Sequence, residues 1–265
     1  MKRLLQLSCL LLLTCLSLPA QDWAQARLDK SPRHQEWVKV KSGSREVQCF
    51  VVYPEVKDKA TTIVMIHEIF GLTDWAREMA DELAAEGYIV VEPDLLSGMG
   101  PNGGGSDSIT NQSATTKAVS MLPPDQVTSD LTAAANYAAD IPAGNGKVVV
   151  AGFCWGGGQS FRFATNNKNL KAAFVFYGTP PNADDMKNIA CPVYGFYGGN
   201  DARVTATVPK AADGMKAAGK TYEPVTYDGA GHGFMRAGET PGASEPNQKA
   251  RNAAFQRWLE LLKKI

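Results

Sequence analysis

What most constrains the fold is an alternation, sustained from Trp37 to the C-terminus, of short apolar runs with segments of helical periodicity. Thr62-Ile-Val-Met-Ile-His67 is a continuous apolar run of strand length, as expected of a parallel strand buried on both faces. A helix is predicted from about Asp74 to Glu86. Trp75, Met79 and Leu83 recur there every four residues, and Gly87 stands at the preferred C-terminal stop. Tyr88-Ile-Val-Val reads as the next strand, Lys147-Val-Val-Val-Ala as another, then Ala172 to Tyr177, Pro192 to Tyr197 and Thr221 to Tyr227. Helices are predicted between them from Asp125 to Ala139, from near Trp155, and from Thr205 to Ala218. A last helix runs from Asn247 to Lys263, with Phe255, Trp258, Leu259 and Leu262 on one face. Trp37 to Val40 and Val47 to Val52 form an opening strand pair. The pattern predicts an α/β fold, a mainly parallel central sheet with helices on both faces.

Two segments fall outside this rhythm. Ser97 to Pro124, with its Pro101-Asn-Gly-Gly-Gly-Ser-Asp run, is long for a structureless connection. It reads either as a surface insertion or as a lid over a binding site. At the N-terminus, Lys2 and Arg3 precede an apolar run from Leu4 to Leu18, and Leu18-Pro19-Ala20 ends in a small residue. This is the form of an export signal, and the run is short for a membrane span. The expected organisation is a signal peptide over 1–20 and one domain over 21–265. The mature protein would be periplasmic or secreted, without stable membrane insertion.

The chain has 27 basic and 27 acidic residues and no basic stripe, so the electrostatic footprint of a nucleic-acid partner is missing. No feature specifies an oligomeric state. Cleavage after residue 20 would leave three cysteines, Cys49, Cys154 and Cys191, so at least one thiol lacks a partner within the chain. A Cys49–Cys191 bridge is open on the sequence. No C-x-x-C pair suggests zinc or redox chemistry, and no cofactor or metal is expected.

Chemistry concentrates in four places. Gly152-Phe-Cys-Trp-Gly-Gly157 follows a strand and precedes a helix. A glycine-flanked turn of this kind lifts a nucleophile, here Cys154, above the sheet at a helix N-terminus, where dipole and free N–H groups favour a thiolate. An unpaired cysteine can equally be a small core residue. Of the three histidines, His34 lies in a polar lead-in, whereas His232 sits in the glycine-rich loop after the last strand. That position lies over the C-terminal edge of a parallel sheet, where sites form. Asp201, just past the strand ending near Tyr197, is the candidate to orient the imidazole. Asp228 reads as a turn former, and Asp184 and Asp185 as solvated. The order nucleophile, acid, histidine is that of α/β-hydrolases. His67-Glu68-Ile69-Phe70-Gly71 closes the first long strand, where this fold supplies an oxyanion donor. The backbone N–H of Ile69 is assigned to that role beside the N–H of Trp155, and Glu68 to activating or orienting Cys154.

On these residues the chain resembles the dienelactone hydrolase family, from about Trp37 to the C-terminus. The resemblance is carried by His-Glu-Ile-Phe-Gly (67–71), Gly-Phe-Cys-Trp-Gly-Gly (152–157), Tyr-Gly-Gly-Asn-Asp (197–201) and Gly-His-Gly-Phe-Met-Arg (231–236). It implies a Cys154–His232–Asp201 triad, a glutamate, Glu68, that helps the thiol lose its proton, and Arg236 as its partner and a substrate carboxylate contact. The family's lactone-cleaving members carry a further arginine between the strand ending near Asp94 and the following helix. This chain has no arginine from Asp94 through Val150, and only Lys117 is offered in its stead. The expected activity is hydrolysis of a small ester or lactone through a thioester on Cys154. The alternatives are a small-molecule-binding protein that keeps the fold without catalysis, and a thiol redox protein that lacks a resolving cysteine.

Overall fold

The computed structural model describes residues 21–265. The segment read as an export signal, 1–20, lies outside the described residues. The first element is a helix in the polar lead-in, α1 (Asp22–Leu28), which seats Ala24 and Leu28 on the core. Seven residues, of which two are buried, are too few to give a periodic signal, so sequence reasoning passed over it. A hairpin follows, β1 (Gln35–Ser42) and β2 (Arg45–Val52), then β3 (Ala60–Ile66), α2 (Asp74–Ala85) and β4 (Ile89–Pro93). Helix α2 starts where the Thr73 hydroxyl accepts the Ala76 N–H, and ends before Gly87 at φ +97°.

The stretch expected to be irregular holds a helix of its own, α3 (Gln112–Ser120), capped by the Asn111 side chain. Its Val119 is fully buried in the core, which favours a packed insertion over a free lid. Helix α4 (Pro124–Asp140) leads to β5 (Gly144–Phe153), α5 (Trp155–Asn166), β6 (Ala173–Phe176) and β7 (Val193–Gly198). The helix expected over 205–218 is divided into α6 (Ala202–Thr205) and α7 (Val208–Ala217). Pro209 has no N–H for a bond back to Thr205, and its ring would strike that carbonyl, so the helix restarts with proline in its first turn. Strand β8 (Tyr222–Tyr227), the short α8 (Phe234–Ala237) and α9 (Glu245–Leu262) complete the chain.

The eight strands form one sheet in the order β1-β2-β4-β3-β5-β6-β7-β8. The β1–β2 and β2–β4 pairs are antiparallel and every other pair is parallel. Side chains of α1, α2 and α9 pack with one face of the sheet, those of α3, α4, α5 and α7 with the other. Trp75, Met79 and Leu83 are fully buried, as the four-residue spacing requires. The chain runs outward from β3 to β4 and then returns to β5 on the other side of β3. The resulting switch point opens a crevice at the carboxyl ends of β3 and β5, with Ile66 level with Gly152. Cys49 and Cys191 are buried free thiols without a bridge, and burial pushes them up to about 12 and about 11.

Candidate active site

Cys154 stands between β5 and α5 with φ +56°, a backbone region that residues other than glycine seldom occupy. The turn is sterically closed: a Cβ on Gly152 would lie 2.1 Å from the Gly156 carbonyl oxygen, and one on Gly156 would lie 2.4 Å from those of Ile66 and His67. Small residues on both sides of the cysteine let the helix start against β3 and β5.

The loop after β8 brings His232 to this turn. Its Nε2 is 3.0 Å from Cys154 Sγ, and its Nδ1 is 2.5 Å from Asp201 Oδ2. Asp201, buried just past the end of β7, occupies the N-terminal cap position of α6 without a capping bond from its side chain. The hydrogen bond to Cys154 is the largest influence on His232. With the bond to Asp201 it outweighs burial and pushes the imidazole up to about 9, so the ring is a cation at neutral pH. The edge of Tyr177 packs on this ring, centroids 5.2 Å apart.

Glu68 is buried, and its carboxylate accepts a hydrogen bond from Arg236 Nε at 2.7 Å, not from Cys154. The Arg236 guanidinium also lies over Phe70, 5.1 Å from the ring centroid. A cleft of about 460 Å³ opens over Cys154 and His232, and Ile69, Trp155, Gln159, Arg162, Tyr177 and Arg203 contribute to its walls. Neither the Ile69 nor the Trp155 backbone N–H donates a hydrogen bond among the described residues. The seven residues singled out in the sequence thus converge on one locality. Arg236 stands behind Glu68 outside the cleft lining, and Lys117 is exposed on α3, also outside it.

Sequence reasoning missed Tyr177, Arg162 and Arg203. Tyr177 ends an apolar strand run with φ +41° and carries no motif. Arg162 lies two turns beyond Cys154 on α5, a helical spacing that could have flagged it. Arg203 follows Asp201 by two residues. Both arginines line the cleft and no carboxylate does, while the Arg162 guanidinium itself donates to Gln159 Oε1, the Pro124 carbonyl and Thr128 Oγ1. Among the described residues, one grouping of carboxylates has metal-ligand spacing, Glu78, Glu82 and Glu239. Arg27 and Arg251 pair with it, which makes it an ion-pair cluster remote from the nucleophile turn in sequence.

The doubly covered, mainly parallel sheet and the strand–turn–helix placement of Cys154 define an α/β-hydrolase. The family model for the dienelactone hydrolase family matches residues 47–265. A Methylorubrum extorquens protein with the provisional name carboxymethylenebutenolidase is 33% identical over 200 residues, 71% of this chain and 67% of its own. A Salmonella typhimurium protein with the same provisional name is 30% identical over 233 residues, 83% of this chain and 84% of its own. A Klebsiella pneumoniae crystal structure, provisionally named a dienelactone hydrolase, superposes with a TM-score of 0.76 at 27% identity. It covers 88% of this chain and 99% of that one. The chain belongs to the dienelactone hydrolase family and is an ester or lactone hydrolase.

Proposed function

We propose that the protein hydrolyses a small carboxylic ester or lactone through a covalent thioester on Cys154. The observation that carries this reading is the unbroken hydrogen-bonded chain Cys154–His232–Asp201. Thiolate Cys154 attacks the carbonyl carbon, forming the S–C bond while the carbonyl π electrons move to oxygen. The free N–H groups of Ile69 and Trp155 hold the resulting oxyanion. As the oxyanion collapses the C–O bond breaks, and His232 Nε2 gives its proton to the departing oxygen. Neutral His232 then takes a proton from water as the hydroxide adds to the thioester. Collapse expels the thiolate with the carboxylic acid product, restoring the pair. Asp201 holds the ring with Nε2 toward sulfur throughout.

The half-buried Glu68–Arg236 pair supports a role in keeping charge near Cys154 balanced when its proton leaves. Arg203, exposed in the cleft wall, favours a substrate that carries negative charge, whereas the Arg162 guanidinium is held by Gln159, Pro124 and Thr128. Export through residues 1–20 belongs to the same proposal, and its check is whether the mature protein begins at Gln21. Turnover of short p-nitrophenyl esters and of charged and neutral lactones tests the chemistry. Cys154→Ala should abolish it, and His232→Ala should lower kcat at least about a thousandfold. Full turnover in both variants would sink the triad, and no turnover of any ester or lactone in the panel by the wild type would favour a binding protein.

A further inference from the structure

The proposed reaction needs the Ile69 N–H to point at a carbonyl oxygen, and Ile69 lies in a tight turn over 68–71 in which its own N–H has no partner among the described residues. Two side chains that do not line the cleft hold that loop. The first is His67. Its Nδ1 donates to the Glu68 carbonyl at 2.8 Å, and the Gly71 N–H donates to the same oxygen at 3.2 Å. The Glu68 carbonyl and the Ile69 N–H belong to one trans peptide plane and point in opposite directions. Tethering the oxygen inward therefore aims the N–H outward, toward the cleft. The His67 ring is fully buried and stacks on the Trp155 indole, with centroids 5.7 Å apart and planes 15° from parallel. One side chain thus bonds the peptide group that carries one donor, the Ile69 N–H, and stacks on the residue that supplies the other. Burial, against the attraction of Asp94, pushes His67 down, so the ring is neutral with its proton on Nδ1.

The second side chain comes from the 97–124 insertion. Ser106 Oγ accepts the Leu72 N–H at 3.0 Å and donates to Asp94 Oδ1 at 2.6 Å, while the Ser106 N–H donates to Asp94 Oδ2 at 2.7 Å. Asp94 also accepts the Leu96 N–H at 3.0 Å, and both Ser106 and Asp94 are buried. Contact is tight: Gly71 has φ +75°, and a Cβ there would lie 2.5 Å from Ser106 Oγ. The loop is thus held at His67 and at Leu72, with Ile69 between.

We propose that His67 and Ser106 are positioning residues of the oxyanion hole, and that the insertion serves through Ser106 as the buttress of the 67–72 loop. The inference rests on the thioester reading, since it presumes an oxyanion at this place. It concerns residues that touch neither substrate nor sulfur, and its readout separates oxyanion support from nucleophile strength. Alkylation of Cys154 by iodoacetamide consumes the thiolate but builds no oxyanion, whereas ester turnover needs both.

The experiment compares p-nitrophenyl acetate turnover with iodoacetamide alkylation in wild type, Ser106→Ala, His67→Leu and His67→Gln. Ser106→Ala and His67→Leu should lower kcat about tenfold, less than outright loss of an oxyanion donor costs. Their alkylation rates should stay within about twofold of wild type, because the sulfur and its histidine are untouched. His67→Gln, whose amide can still donate to the Glu68 carbonyl, should recover most of the turnover. If His67→Leu does not fold, Ser106→Ala, a milder change, carries the comparison. Equal losses of turnover and alkylation, or no loss of turnover in Ser106→Ala, would overturn the inference. A Cys154→Ala protein that still turned over ester would overturn the nucleophile assignment, a separate failure.

Discussion

At the scale of single residues, the proposed chemistry turns on one imidazole set between the Cys154 sulfur and the Asp201 carboxyl group. His232 is raised to about 9 by Cys154 and Asp201, above the ~6.5 of an unfolded chain. The sign of the consequence follows. Stability from this pairing is complete below about pH 6.5 and is lost as pH rises through about 9. Activity should follow the same limb, because a neutral ring has no Nε2 proton for the departing oxygen. A pH–rate profile is expected to show kcat falling above about pH 9. In Asp201→Asn the fall should move to lower pH, since a carboxylate that favours the cation is gone, and kcat should drop about a hundredfold or more. A fall that stays in place in Asp201→Asn would detach Asp201 from the titration. Nearby, Cys154 and Tyr177 both adopt positive φ, strain that the crowded glycine turn and the β6–β7 pairing sustain.

At the scale of elements, α1, α2 and α9 meet around Glu78, Glu82 and Glu239, with Arg27 and Arg251 between them. Trp75 Nε1 donates to Glu239 at 3.3 Å, and Arg251 Nε donates to it at 2.5 Å. Burial pushes Glu239 up to about 8, with Glu82 and Glu78 adding to it against Arg251. The folded protein therefore holds a proton that the unfolded chain releases near pH ~4.3, so this group's contribution to stability falls as pH rises from about 4.3 to about 8. Glu239→Gln removes the titration and can keep the Arg251 contact. Thermal unfolding should show a smaller loss of Tm between about pH 5 and pH 8 in the variant than in the wild type. Identical slopes would mean that Glu239 is ionised throughout. None of this cluster was legible in the sequence, because it joins residues far apart in the chain through buried charges whose pairing only packing reveals. What was legible has local causes. Continuous apolar runs marked β3 to β7, and the spacing of Trp75, Met79 and Leu83 marked α2. Glycines marked two chain reversals, one beside Cys154 that a side chain would block and one beside His232 where Gly233 has φ +72°. Helix α1 was missed because seven residues are too few for a periodic signal, α3 because most of its residues face water, and the division of α6 from α7 was hidden by an apolar pattern that continues across Pro209. Arg162 and Arg203 were missed because ordinary surface arginines carry no motif until the fold gives them a common cleft.

At the scale of the whole molecule, the strand order makes the site. Because the chain reverses direction across the sheet between β4 and β5, the ends of β3 and β5 lie side by side, and so do the 67–72 loop and the Cys154 turn. The parallel strands β6, β7 and β8 then carry Tyr177, Asp201 and His232 to the same edge. The antiparallel β1–β2 hairpin extends the sheet on the far side of β4, and no site residue comes from it. Among the described residues no helix is long and apolar enough to cross a membrane. In the proposed reaction one sulfur in this frame becomes acylated. Rapid acid quench during turnover of a slowly hydrolysed p-nitrophenyl ester, followed by peptide mass spectrometry, reads this out. One acyl group is expected on the peptide containing Cys154, removed by hydroxylamine and absent in Cys154→Ala. Acyl transfer to any other residue, or steady turnover by Cys154→Ala, would contradict it.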